Sequence, residues 1–162
     1  MRVRDVMMRT PASCNAQTNL AAAVEILWNR NCGFLPVANA EGKIIGVVTD
    51  RDICIALGTR NQLAGEVTVG DVISGKLFAC QADDDVRTAL ATMAQEKVRR
   101  LPVIGADGKL EGILSMDDAV LHAEASHPGK ASELSNEDVA VTLKKLYQPQ
   151  VPELALKKTA VA

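Results

Sequence analysis

The chain has 162 residues, which is enough for one ordinary domain or two small ones. Its 18 basic and 20 acidic residues give a formal net charge of −2, which leaves no basic field to hold a nucleic-acid backbone. No apolar run is long enough to cross a bilayer and the N-terminus lacks a signal-peptide core, so we expect a cytoplasmic protein with no membrane partner.

The first predicted elements occupy residues 12–57. A short strand over 12–14 precedes a helix whose apolar stripe begins at Leu20 and whose N-cap is Asn19. The strands "FLPVA" and "IIGVVT" then form a hairpin around Gly42, and a second helix covers 50–57. This segment therefore predicts a β-α-β-β-α unit.

The same unit recurs 66 residues later without a gap. Asp85 caps the equivalent helix, "RLPVI" and "LEGILS" form the equivalent hairpin around Gly108, and a helix covers 116–124. The equivalent first strand covers 78–80. A register held over some fifty positions indicates a tandem duplication. We therefore predict a mixed α/β (α+β) fold in which two β-α-β-β-α repeats share a core.

Domain boundaries follow from the duplication. The first repeat covers 1–61 and the second covers 62–125. A C-terminal extension covers 126–162, with a short helix capped by Ser135 and a frayed end from Gln148.

The closing motifs of the repeats, "GVVTDRD" and "GILSMDD", combine a hydroxyl residue with an acid three positions later. A carboxylate accepts hydrogen bonds from both hydroxyls of a ribose, and a hydroxyl group donates to phosphate. The pairs are Thr49 with Asp52 and Ser115 with Asp118. The same spacing also fits a helix capping box, and the two roles are compatible.

The order of these motifs resembles that of tandem cystathionine-β-synthase (CBS) domains, which pair as a Bateman module. The resemblance covers residues 3–123 and rests on "DVM", the "LPV" strand, the glycine hairpin and the closing motif, each in its place. It implies two repeats packed by pseudo-twofold symmetry around two clefts for adenosine nucleotides. In each cleft, the closing Asp is implied to hold the ribose, and the Thr or Ser to contact phosphate or ribose.

The repeats differ at positions that line the cleft in the family. The first has Gly33 and Phe34 where the second has Arg99 and Arg100. A guanidinium can bind phosphate through two donors, so both arginines are predicted phosphate ligands. Arg100 is the stronger candidate and Arg99 the weaker one. Solvated surface charges are the alternative for both, and Phe34 fits either a base contact or the core.

Three further residues complete the predicted site. Arg51 in the first closing motif is a candidate to face an anion; Asp117 stands at the equivalent position of the second motif. The resemblance also implies that adenine lies along 7–12 and 73–78, which end at Ala12 and Phe78.

No nucleophile with its base, and no metal-ligand pattern, is visible, so we predict neither an enzyme nor a metal site. The predicted function is a free-standing regulatory module that acts on a partner in trans. It is predicted to form a homodimer, to need no obligatory cofactor and to bind AMP as its preferred ligand. ADP, ATP, NAD and S-adenosylmethionine are the other ligands considered. The alternatives are a structural dimerisation module without ligand and, less favoured, a nucleic-acid-binding protein.

Overall fold

The computed structural model describes residues 1–125 and 133–149. The elements of the first part of the chain are α1 (Val3–Val6), β1 (Met8–Arg9), β2 (Cys14–Asn15), α2 (Leu20–Asn29), β3 (Phe34–Ala38), β4 (Ile44–Thr49) and α3 (Asp50–Arg60). The elements that follow are a 3-10 turn (Val69–Asp71), α4 (Val86–Glu96), β5 (Arg100–Ile104), β6 (Leu110–Ser115), α5 (Met116–His122) and α6 (Asn136–Tyr147). The predicted mixed α and β class is confirmed. The predicted frayed end falls mainly on 150–162, outside the described residues.

Polar side chains begin the helices as predicted. The Asn19 side chain accepts a hydrogen bond from the N–H of Ala22, and that of Asp85 accepts one from the N–H of Arg87. The hairpin glycines Gly42 and Gly108 have φ of 78° and 82°, a region that side chains disfavour. These local signals therefore fix the predicted helix starts and turns.

The first strand of each repeat differs from its prediction. In the first repeat, β2 comprises Cys14 and Asn15 rather than 12–14, and it pairs in parallel with β3. In the second repeat, Cys80 alone forms a bridge, to Val103 of β5. The prediction of a strand over 78–80 is therefore wrong, because only one ladder step forms there.

The entry segments of the two repeats are exchanged. Arg2 bridges to Asp85, and its equivalent Thr68 bridges to Asn19. Strand β1 consequently joins the second repeat's sheet, in the order β1-β6-β5, while β2-β3-β4 forms the first repeat's sheet. Each sheet thus lies beside an entry segment that comes from the other repeat.

Two apolar cores reflect the same exchange. Val3 packs in the core of the second repeat with Leu101 and Leu114, and all three are fully buried. Val69 packs with Leu35 in the core of the first repeat, and both are likewise fully buried. Because each core needs side chains from both repeats, the repeats stabilise one another.

Contacts between the hairpins mark the pseudo-twofold relation. Lys43 and its equivalent Lys109 form an antiparallel bridge with each other. The N–H of Ile44 also donates to the carbonyl of Gly108 over 2.9 Å. Among the described residues, no helix is long and apolar enough to span a membrane.

Helix α6 of the extension packs mainly against α4, with further contacts to α5. The predicted Ser135 cap is present. The guanidinium of Arg87 on α4 lies 3.1 Å from the carboxylate of Asp138 on α6. Burial by itself raises the pKa of Asp138, but hydrogen bonds from Arg87 and Ser135 outweigh it and lower the pKa. The carboxylate thus stays ionised at neutral pH and holds α6 on the second repeat.

Candidate functional site

A cleft of about 390 Å³ lies where the first entry segment meets both repeats. Its walls come from the segment around β1, the connection between α2 and β3, and the start of α5. We name it the Asp118 cleft. Its lining residues are Met8, Thr10, Pro11, Ala12, Arg30, Asn31, Cys32, Phe34, Arg100, Ile113, Ser115, Asp117 and Asp118.

Ser115 and Asp118 meet at the junction of β6 and α5. The hydroxyl of Ser115 donates to Oδ2 of Asp118 over 2.6 Å, and the Ser115 N–H donates to the same oxygen over 2.8 Å. The Asp118 N–H returns a bond to the hydroxyl over 3.1 Å. These bonds use one carboxylate oxygen, so Oδ1 of Asp118 is not engaged by the cap.

The same capping box recurs outside this cleft. Thr49 and Asp52 form it at the start of α3, Thr68 and Asp71 at the 3-10 turn, and Ser135 and Asp138 at α6. The last two pairs lie outside the closing motifs. The box alone therefore shows only that a helix starts. Asp118 differs from Asp71 by its position in a cleft, whereas Asp138 lines a separate groove between α4 and α6.

Arg100 and Ser115 lie opposite one another on paired strands, at the end of the sheet that opens into the cleft. Nη2 of Arg100 lies 3.8 Å from Oδ2 of Asp117, and the Arg100 side chain is 33% exposed. Arg30, on the connection from α2 to β3, is a second basic residue that lines the cleft. The cleft thus contains two cations and two carboxylates.

The apolar part of the cleft is formed by Ala12 and Phe34. Phe34 is 8% exposed, so its side chain is largely buried although it also lines the cleft. Ala12 packs against the core of the first repeat. A small residue and an aromatic residue suit a flat apolar group such as a nucleobase.

Five predicted site residues therefore meet in one cleft, and the others lie elsewhere. Gly33 lines a separate groove between α2 and α3, beside the Asp50 carboxylate. The remaining predicted residues, none of which lines the Asp118 cleft, are Thr49, Arg51, Asp52, Phe78 and Arg99. Phe78 packs against the core of the second repeat, and Arg99 is exposed.

Sequence reasoning missed several residues of the cleft, among them Arg30 and Cys32. They lie on the connection from α2 to β3, where Asn31 adopts a left-handed φ of 47°. A polar residue with positive φ just after a helix is a recognisable C-terminal signal. It gives the position of the turn but not the cleft that the turn faces.

Two of the four cysteines, Cys14 and Cys80, are buried. Burial raises the pKa of Cys14 to about 11 and that of Cys80 to about 12, so both thiols are protonated at neutral pH. No group of three or more His, Cys, Asp or Glu residues within 1–125 and 133–149 is arranged to hold a metal ion.

Both repeats match one family of protein domains. The model of the CBS domain family matches residues 3–59 and 62–124, which together make up most of the chain. The chain belongs to the CBS domain family. The exchanged entry segments and the paired hairpins are thus features of a CBS domain pair.

Relatives of this CBS pair include the CBS domain-containing protein YhcV of Bacillus subtilis, 28% identical over 83% of this chain and 93% of that protein. An uncharacterised protein of Methanopyrus kandleri is 30% identical over 71% of this chain, which spans only 56% of that protein. Among solved structures, the CBSX2 complex with AMP superposes with a TM-score of 0.65 at 27% identity, over 74% of this chain and 93% of that one.

Proposed function

We propose that this CBS pair is a regulatory module that binds an adenosine nucleotide in the Asp118 cleft and acts on a separate partner protein. AMP is the preferred ligand in this proposal. The observation that carries the proposal is the convergence of Ala12, Phe34, Arg100, Ser115 and Asp118 on one cleft. The proposal also draws support from CBSX2, a structural relative that binds AMP.

In this proposal each part of the ligand meets matching chemistry. The ribose hydroxyls donate to Asp118, whose Oδ1 is not engaged by the helix cap. The phosphate meets the guanidinium of Arg100, and adenine lies beside Ala12 and Phe34. ADP, ATP, NAD and S-adenosylmethionine share the adenosine part, so they are the other ligands to test.

Thr49 and Asp52 are proposed to serve a second, equivalent cleft. Their capping box has the same geometry as that of Ser115 and Asp118, with 2.7 Å between the Thr49 hydroxyl and the Asp52 carboxylate. Arg51 takes the position that Asp117 has in the second repeat. In this proposal the two clefts therefore differ in charge at this position.

Binding of AMP is expected to raise the melting temperature of the chain. At a hundredfold excess over its dissociation constant, a one-site ligand adds about 2.7 kcal/mol to the free energy of unfolding. For a chain of this size each kcal/mol corresponds to roughly 2–4 °C. Differential scanning fluorimetry with AMP, ADP, ATP, NAD and S-adenosylmethionine measures the shift, and no shift with any of them at millimolar concentration would contradict the proposal.

The alternative, a structural module without ligand, draws support from the capping boxes, because they give both closing motifs a role in starting a helix. Mass spectrometry of small molecules released on denaturation distinguishes the two, because only the nucleotide-binding module retains an adenosine compound. A salt-dependent shift of labelled RNA would instead support the nucleic-acid alternative.

We also propose that two chains associate through the first repeat. Helix α6 covers α4, where Leu90 and Ala94 are 2% and 7% exposed. The equivalent residues of α2, Val24 and Trp28, are 44% and 84% exposed. They line a groove of about 570 Å³ between α2 and α3 that α6 does not cover. Exposed aromatic residues beside apolar grooves are typical of protein interfaces.

Light scattering is therefore expected to give a homodimer of about twice 17.2 kDa. Trp28→Glu places a charge on the proposed interface and should shift the equilibrium to monomer. Leu63→Glu is a matched control, because Leu63 is also exposed, at 72%, but lies outside that groove. A wild-type monomer at tens of micromolar, or equal effects of both variants, would count against this interface.

A further inference from the structure

The formal charges that line the Asp118 cleft sum to zero. Arg30 and Arg100 contribute two guanidinium groups, and Asp117 and Asp118 contribute two carboxylates. The guanidinium of Arg100 already faces Asp117 across 3.8 Å. A phosphate that enters the cleft thus meets a cation whose charge is partly compensated.

Asp117 is not required by the local fold. The capping box of α5 uses Ser115 and Asp118, and the Asp117 side chain is 82% exposed at the rim. The first repeat has Arg51 at the equivalent position, so the same backbone geometry accepts the opposite charge. The acidic side chain therefore affects the charge of the cleft more than its shape.

From this arrangement we infer that Asp117 is a specificity-determining residue that makes the Asp118 cleft select adenosine ligands of low charge over polyphosphates. The inference rests on the proposed function and names the ligand class of that site. Each added phosphate group brings negative charge towards the Asp117 carboxylate, and like charges at short range repel. Adenosine carries no phosphate and is indifferent to this carboxylate, whereas ATP experiences the full repulsion.

The test compares affinities for adenosine, AMP and ATP by titration calorimetry without divalent cations. The wild-type chain is expected to bind ATP no more tightly than AMP. Asp117→Asn should improve ATP binding relative to adenosine by about two- to fivefold, the range of an exposed charge interaction. Asp117→Arg, which introduces the first repeat's residue, should improve it further, and added salt should reduce both effects.

Glu25→Gln is the matched control, since it removes the same charge from an exposed position of α2 that does not line the cleft. It should leave the ratio of ATP to adenosine affinity unchanged. Melting curves of each variant verify folding. If AMP binds but Asp117→Asn leaves the ratio unaltered, or if the wild type prefers ATP to AMP tenfold, the inference is overturned and the proposed function stands. If the wild type binds none of the three compounds, the inference fails, and the proposed function fails with it if NAD and S-adenosylmethionine do not bind either.

Discussion

Gly112→Ala is expected to lower the free energy of unfolding by about 1–3 kcal/mol, the usual effect of overpacking. A β-carbon at Gly112 would lie 2.8 Å from the carbonyl oxygen of Met8 and 2.8 Å from the sulfur of Met7. The carbonyl belongs to β1, which pairs with β6 at Arg9 and Gly112, so it cannot retreat without loosening the strand pair. Thermal unfolding measures the loss.

Gly46→Ala provides the matched control, because Gly46 is the equivalent position of the first repeat. The three atoms nearest to its β-carbon would all belong to the Ile73 side chain, the first of them at 3.2 Å. A side-chain end adjusts more easily than backbone, so we expect a smaller loss than for Gly112→Ala. Equal losses in the two variants would show that the exchanged β1 strand is not the cause.

The effect of Gly112→Ala should extend to ligand binding. Strand β1 leads directly into Thr10 and Ala12, which form a wall of the Asp118 cleft. Loosening β1 displaces this wall without altering any predicted ligand contact from Arg100 or Asp118. The entry segment therefore links stability to the geometry of the candidate site.

The duplication made much of this fold predictable from sequence. Gly42 and Gly108 mark turns that need positive φ, and Asn19 and Asp85 mark helix starts, so local physical chemistry fixes these positions. The hairpin strands Phe34–Ala38 and Ile44–Thr49 match their predicted bounds for the same reason.

What the sequence did not reveal depends on contacts between distant segments. Nothing local in Val3 or Val69 indicates that each packs in the other repeat's core. The same exchange brings Arg30, from the first repeat, to the cleft that Asp118 closes. The spacing of the motifs predicted which residues are candidates for ligand binding. Which of these residues lie together depends on how the entry segments are exchanged between the repeats.

Asp118→Ala is expected to weaken AMP binding about tenfold or more, because a hydrogen bond to a charged group contributes about 1.5–3 kcal/mol. Asp52→Ala should act likewise if the second cleft also binds ligand. Arg100→Ala should weaken AMP binding but leave adenosine binding nearly unchanged, because the guanidinium interacts only with the anion. Titration calorimetry on folded variants measures each affinity.

Loss of the helix cap is the competing explanation for any effect of Asp118→Ala, and the chain offers a control for it. Asp71 forms the same capping box with Thr68 but lies outside the cleft. Asp71→Ala should thus cost stability of about 0.5–2 kcal/mol, as cap removal does, without changing affinity per folded molecule. If Asp118→Ala behaves in the same way, with lower stability and unaltered AMP affinity, Asp118 serves as a helix cap alone. A loss of affinity confined to Asp118→Ala assigns the carboxylate to the ligand as well, because the two variants remove the same box.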